Sequence, residues 1–452
     1  MAQYALAQPP VAAADTPVDL DGRHGIGRSA PLPLVLALLV VTNFLPVETS
    51  LIIGGLRLPF ARLLLLLLAP YLFLELGRKV ATGRYRFVAA DAFVLLTGCW
   101  MLVASIAAIG LGDALNHAGP EILEFCFGYL ATRTLLSAPG QAVSLINLLC
   151  VTVAVVGLIA VLDPLTDRFV VHDLANALTG YGKDVVGRPD YRLGMRRAAG
   201  PLEHPILLGT ACMIGLLCRA RLQRRGRLFT MAGCTAGLVA SVSSAPLQAA
   251  ILGFGLLLYD RLFRWLRWRW ALLFGILATA VALSFTLFGS PLGFVNQYLI
   301  FDPASGFSRE FEWQTVGGYV ATSPWLGIGF GWDEIAEDIG AFASIDSVWL
   351  GKALIYGIPC SVLIALSFLG SASLPARGPR VGLTPIESRL ATILSIIMCL
   401  LLFLGFTVYF WGSLWILSAL LAGVRAHLGE LGQLEAPDPA TVLQADYEPV
   451  PQ

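Results

Sequence analysis

Charge is scarce in this chain. Only 13% of its 452 residues are Asp, Glu, Lys or Arg, and thirty basic side chains balance thirty acidic ones. A sequence so balanced has no global field to draw nucleic acid, and any attraction for anions has to come from local clusters. Nucleic-acid binding is therefore set aside. Metal-ligand spacing is also missing. The eight cysteines, at 99, 126, 150, 212, 218, 234, 360 and 399, form no CxxC pair and lie within or at the edges of apolar runs. They read as packing residues, and the cysteine-free hydrophilic loops predict no extracytoplasmic disulfide framework. The first thirty residues lack a basic start leading directly into an apolar region, so they do not read as a cleaved signal peptide. No repeat of the first half appears in the second.

What the chain has in abundance is apolar surface. At 57% hydrophobic residues and a mean hydropathy of +0.75, no soluble core could hide it, so the sequence describes an all-α polytopic membrane protein. Twelve stretches qualify as membrane-spanning helices, near 32–47, 58–76, 87–110, 119–136, 141–162, 203–219, 227–242, 245–260, 270–289, 346–370, 389–404 and 406–424. Several are short or interrupted, notably by Arg62 and Pro70, by Ala245-Pro246 and by Gly405, so the expected count is ten to twelve. Residues 1–31 and 425–452 read as cytoplasmic tails, the former disordered, around a membrane domain at 32–424.

Placing both termini in the cytoplasm puts twenty of the thirty Lys and Arg on that side. The short basic loops RARLQRRGR and DRLFRWLRWR suit an anionic cytoplasmic leaflet and act as topology determinants with Trp anchors. Two long loops then fall outside, 163–201 and 290–345. Six of the ten outside basic residues (Arg168, Lys183, Arg188, Arg192, Arg196, Arg197) sit in the first loop, and Arg309 stands alone in the second.

The first loop ends GRPDYRLGMRRAAGPLEHPILLGT. As a helix it would put Arg188, Arg192, Arg196 and Arg197 on one basic ridge, whereas as a loop its glycines and proline would let backbone approach a ligand. Converging guanidinium groups at a membrane entry suit the bidentate recognition of a lipid diphosphate. The alternative is that they pair with Asp184, Asp190 and Glu203 or touch lipid headgroups. His204, just before Pro205, is either a helix cap or a donor to a leaving group.

In the second loop, Arg309 precedes an amphipathic stretch with Phe311, Thr315, Tyr319 and Val320 on one expected face. SPWLGIGFG then predicts a sharp turn packed closely against something, with Trp325 and Trp332 as interface anchors. Asp333, Glu334, Glu337 and Asp338 read as a solvated face or a weak cation site. Asp346, at the start of the next span, is either its N-cap, in competition with Ser344, or an acid/base group.

These segments carry a resemblance. RRAAGPLEHPILLGT, with an Arg, a glycine and a proline opening an apolar helix, resembles the corresponding segment of the O-antigen ligase and Wzy-type polysaccharide polymerase superfamily. The second loop resembles it further in its SR, its Trp313 and its P-x-x-G-x-G turn from Pro324 to Gly329. The resemblance implies a GT-C type glycosyltransferase in the bacterial inner membrane, acting on polyprenyl-diphosphate-linked glycan without metal or cofactor. It implies Arg197 and Arg309 as the donor-diphosphate residues; on the ordinary chemistry of a sugar diphosphate, Arg192 and Arg196 would assist them and Asp346 or Glu203 would be the base. Trp313, Tyr319, Trp325 and Trp349 are then available to stack on sugars. Ligases of the superfamily carry a His where this chain has Asp346, which favours a polymerase over transfer to lipid A core. A chain-length regulator is a partner by family analogy only. The rival class is a lipid-linked oligosaccharide flippase or permease, and a membrane acyltransferase would want a His-centred constellation; His117, His172 and His204 face the outer side without an HxxxD arrangement.

Overall fold

The computed structural model describes residues 31–53, 56–138, 140–180, 191–222, 226–266, 268–288, 303–330, 345–374 and 383–431. Arg188, Ser344, Trp332 and the acidic run from Asp333 to Asp338 lie outside them, as do the N-terminal tail to residue 30 and residues 432–452.

The described residues are mainly helical, with two small hairpins. The elements are α1 (Leu34–Thr42), β1 (Leu51–Ile53), β2 (Leu56–Leu58), α2 (Phe60–Ala81), α3 (Ala89–Ile122), a π-helical turn (Leu123–Phe127) and α4 (Gly128–Leu135). There follow α5 (Gln141–Ala160), α6 (Leu162–Thr166), α7 (Val170–Thr179), β3 (Tyr191–Arg192), β4 (Met195–Arg196), α8 (Pro205–Arg221), α9 (Arg227–Ala240), α10 (Ser244–Leu262) and α11 (Arg269–Phe288). The last are α12 (Pro303–Thr322), α13 (Val348–Tyr356), α14 (Ile358–Ala372), α15 (Pro385–Leu404) and α16 (Gly412–Leu431).

Among the described residues, six helical segments are long and apolar enough to cross a membrane, and α8, α9 and α14 are shorter apolar helices. Two expected stretches differ in form. The connection expected at 111–118 is helical: the break is confined to Gly110, whose φ of 79° no helix accommodates, and helix resumes at once through Leu111, Ala114 and Leu115. The span expected at 346–370 is two half-helices, because Gly357 at φ 83° followed by Pro359 ends α13 and starts α14.

Helix α16 is the centre of the bundle, buried along nearly its whole length and packed on α4, α8, α14 and α15. Helices α5 and α9 approach most closely where Gly157 meets Gly233 and Gly237. A methyl group at any of the three would strike the opposing helix, the small-residue packing that lets membrane helices touch backbone to backbone. All eight cysteines are free thiols, and only Cys99 is exposed.

Contacts group the connectors at two ends, as the charge sorting does. At one end, Lys79 Nζ donates to the Leu136 carbonyl (3.3 Å), the Gly140 amide donates to Glu387 (2.9 Å), and Arg133 binds Asp91 (2.9 Å) and Glu430 (2.6 Å). At the other, His172 meets Glu48 (2.6 Å), Ser347 donates to the Gly405 carbonyl (3.0 Å) and Ser413 donates to Glu203 (3.0 Å). The first set belongs to connectors assigned inside by sequence, and the second to connectors assigned outside.

Candidate active site

Helix α12 carries the second-loop charges. The expected face of Phe311, Thr315, Tyr319 and Val320 is not the one that packs: Arg309, Glu312, Val316 and Val320 turn inward, and the other three stand half-buried. A helix repeats every 3.6 residues, so this 309/312/316/320 stripe is as regular as the expected one. It prevails because its two charged members find polar surroundings. The Glu312 carboxylate accepts the Ser347 amide (3.2 Å) and that of Asp346, and Arg309 lies one helical turn away. Trp313 donates to the Phe406 carbonyl (3.3 Å) and stacks on the Phe406 ring at 6.0 Å. With Tyr319 it covers an apolar cluster of Val316, Val320, Ile345, Leu350 and Leu354.

The start of α13 corrects a sequence expectation. Its N-cap is Ser347, whose hydroxyl accepts the Leu350 amide (3.3 Å); neither Asp346 nor Ser344 fills that position. Asp346 is left half-exposed beside Glu312. Burial, reinforced by the charge of Asp346 and opposed by the two amides and Arg309, pushes the Glu312 carboxyl up to about 7.

The SPWLGIG turn packs closely, as its glycines predict, and its seat is the break between α13 and α14. Ile328 and Gly329 amides donate to the carbonyls of Leu354 (2.8 Å) and Ile355 (3.2 Å), and the Ile358 amide donates to Pro324 (2.8 Å). Gly327 and Gly357 both have positive φ, and a Cβ on Gly357 would overlap the Trp325 carbonyl. Trp325 itself is exposed, as an interfacial anchor would be.

In the first loop, the four-arginine ridge does not form from its described members. β3 and β4 make a hairpin whose turn residues, Leu193 and Gly194, both have positive φ, as a type I′ turn requires. The register sets Tyr191 opposite Arg196 and Arg192 opposite Met195, so Arg192 and Arg196 project to opposite faces. Arg196 pairs with Asp167 (2.9 Å) and lies 4.8 Å over the Phe169 ring. Of the partners foreseen for the arginines, Asp184 and Asp190 lie outside the described residues; the reach of the hairpin back to the end of α6 brings Arg196 to Asp167. Hydrogen bonds from Tyr191 and Arg196 hold the Asp167 carboxyl below its usual range.

Arg197 turns the other way, into the protein. It is 2% exposed, and its Nε donates to the Ser241 carbonyl (3.2 Å) at the end of α9. The following turn is held by Asp163, which accepts the Ala199 and Gly200 amides (3.1 and 2.9 Å), and by His172, bound to Glu48 (2.6 Å) and the Leu202 carbonyl (3.0 Å). Glu203 accepts the Ser413 hydroxyl, and burial raises its carboxyl. His204 is the N-cap of α8: Nδ1 accepts the Ile206 amide (3.2 Å), and the ring lies 5.1 Å from Trp411.

The connector 405–411 between α15 and α16 joins the two groups. Its first residues touch Trp313, Ser347 and Trp349, and beyond Tyr409 it reaches Trp411 against His204 and Ser413 against Glu203. One strip of chain thus has Arg309, Glu312 and Asp346 at one end, and Glu203 and His204 at the other. Sequence reasoning missed Glu312, although its spacing of three from Arg309 was a signal. It also missed two ion pairs near the π-helical turn, each with one buried member, Lys352 with Glu121 (2.6 Å) and Arg62 with Glu124 (2.7 Å), which engage two further basic residues that the charge sorting assigns to the outer side. Neither the protein-family models nor the curated proteins contain a match to this chain.

Proposed function

We propose that this protein polymerises polyprenyl-diphosphate-linked oligosaccharide repeat units at the outer face of the bacterial cytoplasmic membrane, through a GT-C-like body of about twelve spans with both termini inside. The observation that carries the reading is the buried Arg309 beside two carboxylates, Glu312 and Asp346, on a helix from a hydrophilic loop that folds back against the bundle. A guanidinium fork there suits a diphosphate, and a neighbouring carboxylate suits an acceptor hydroxyl.

A sugar diphosphate brings its own leaving group. The enzyme has to stabilise the charge that develops on phosphate and to receive one proton, which cations and a carboxylate can do. In this reading Arg309 and Arg197 hold the donor diphosphate, with Arg192 in support. Arg196, engaged by Asp167, steadies the hairpin. Asp346 is the base, and Glu203 and His204 border the site through Ser413 and Trp411. Trp313, Phe406 and Trp411 offer ring faces to sugars.

The test is the lipid-linked pool of a deletion strain, together with gel and mass-spectrometric analysis of its surface glycan. Accumulation of single repeat units facing outward, with polymer lost, supports the reading. Units trapped facing inward would make the protein a transporter, and normal-length polymer not joined to lipid A core would make it a ligase.

A further inference from the structure

The Glu312 carboxylate has a position that a purely structural glutamate would not need. It is 6% exposed, one helical turn from Arg309, and it reaches across to the first residues of α13, where it accepts the amides of both Asp346 and Ser347. Its grip fixes the backbone from which the Asp346 side chain projects. Asp346 is half-buried, so of the two carboxylates it is the more accessible. Among the described residues, the groups whose charge bears most on Glu312 are Asp346, of like sign, and Arg309, of opposite sign. Two carboxylates beside one guanidinium, one of them buried, are not both ionised without cost, so such a pair favours holding one proton.

We propose that Glu312 is the positioning and proton-holding partner of Asp346, and that this pair, rather than Glu203, serves the acceptor hydroxyl. The proposal rests on the glycosyl-transfer reading above. In the step, the acceptor oxygen forms a bond to the anomeric carbon of the donor sugar, and the bond from that carbon to the diphosphate oxygen breaks. The electron pair leaves with the polyprenyl diphosphate, and the hydroxyl proton passes to Asp346. Asp346 accepts that proton while the pair as a whole carries one negative charge, balanced by Arg309. A Glu312 carboxyl raised to about 7 is partly protonated at neutral pH, in keeping with this division.

Two measurements on the purified full-length protein in lipid nanodiscs test it. The first is independent of activity: infrared difference spectra across pH 5.5 to 8.5 (a range set about the expected midpoint) follow the protonated-carboxyl band in the wild type, Glu312→Gln and Asp346→Asn. A band titrating near 7, absent in Glu312→Gln and shifted to lower pH in Asp346→Asn, is expected. An identical titration in all three proteins overturns the pairing. The second is the rate of polymer formation from a polyprenyl-diphosphate-linked oligosaccharide over the same range. Above the midpoint, where both carboxylates are ionised and the single negative charge is exceeded, the wild-type rate should fall about tenfold per pH unit. Glu312→Gln, which cannot ionise, should lose that limb, and Glu312→Asp should restore part of it. A wild-type profile in Glu312→Gln overturns the assignment of Glu312, as does loss of rate with an unmoved limb. Should the wild type itself form no polymer while the band behaves as expected, the transferase reading fails and the carboxylate pair stands.

Discussion

Glu312 accepts the amide of Ser347 at 3.2 Å, and Ser347 is itself the residue that caps α13. A side chain from the hydrophilic loop therefore closes the helix start on which Asp346 is mounted. Cap and carboxylate are separate residues, and their effects can be measured apart.

Asp346→Asn should abolish polymer formation while leaving the thermal midpoint of the solubilised protein unchanged. Ser347→Ala should do the reverse in part, removing a cap worth about 1 kcal/mol and lowering the midpoint. Equal loss of activity and stability in Asp346→Asn would return Asp346 to a structural role.

Arg309→Lys keeps the charge and loses the fork. Polymer should disappear from a strain carrying it while the membrane level of the protein stays at wild type, read by immunoblot and by glycan gel. Polymer of normal length in that strain would remove Arg309 from the diphosphate site.

His172 links α7 to Glu48 and to the turn before Glu203. Burial lowers its affinity for a proton, but the hydrogen bond and charge of Glu48 outweigh burial and raise it above its ordinary 6.5. A group raised on folding contributes stability that is full below its unfolded value and is lost as pH rises through its folded value. The thermal midpoint should therefore decline as pH is raised from 6.5, and His172→Gln should flatten that decline. An equal slope in both proteins would show that the pair carries no proton-linked stability.

Gly357→Ala places a Cβ where the Trp325 carbonyl stands and does so at a φ of 83°. Loss of the folded protein on size-exclusion chromatography is expected, from strain of about 1–3 kcal/mol plus the displaced turn. Gly77→Ala, in open space on α2, is the control and should be silent.

The helices were legible because apolar stretches of spanning length leave the backbone little choice but to satisfy itself. Side-chain partners were less so. The inward face of α12 differs from the expected one by a small rotation, which hydropathy alone does not resolve when Phe311 and Val316 are both apolar. Arg196 and Arg197 are neighbours in sequence and part company in space because the chain there is extended, so successive side chains point to opposite faces. Glu312 was overlooked because, beyond its spacing from Arg309, the partners that give it meaning lie at the start of another helix across a long interval of chain.

The break between α13 and α14 opens backbone groups that lipid cannot satisfy, and residues 324–329 fill them with three hydrogen bonds. That seat exists only when residues 324–329 are in place, and without them the Leu354 and Ile355 carbonyls and the Ile358 amide stay bare. The chain in this way makes the settling of the α13–α14 pair conditional on the turn before it, a dependence written in backbone geometry.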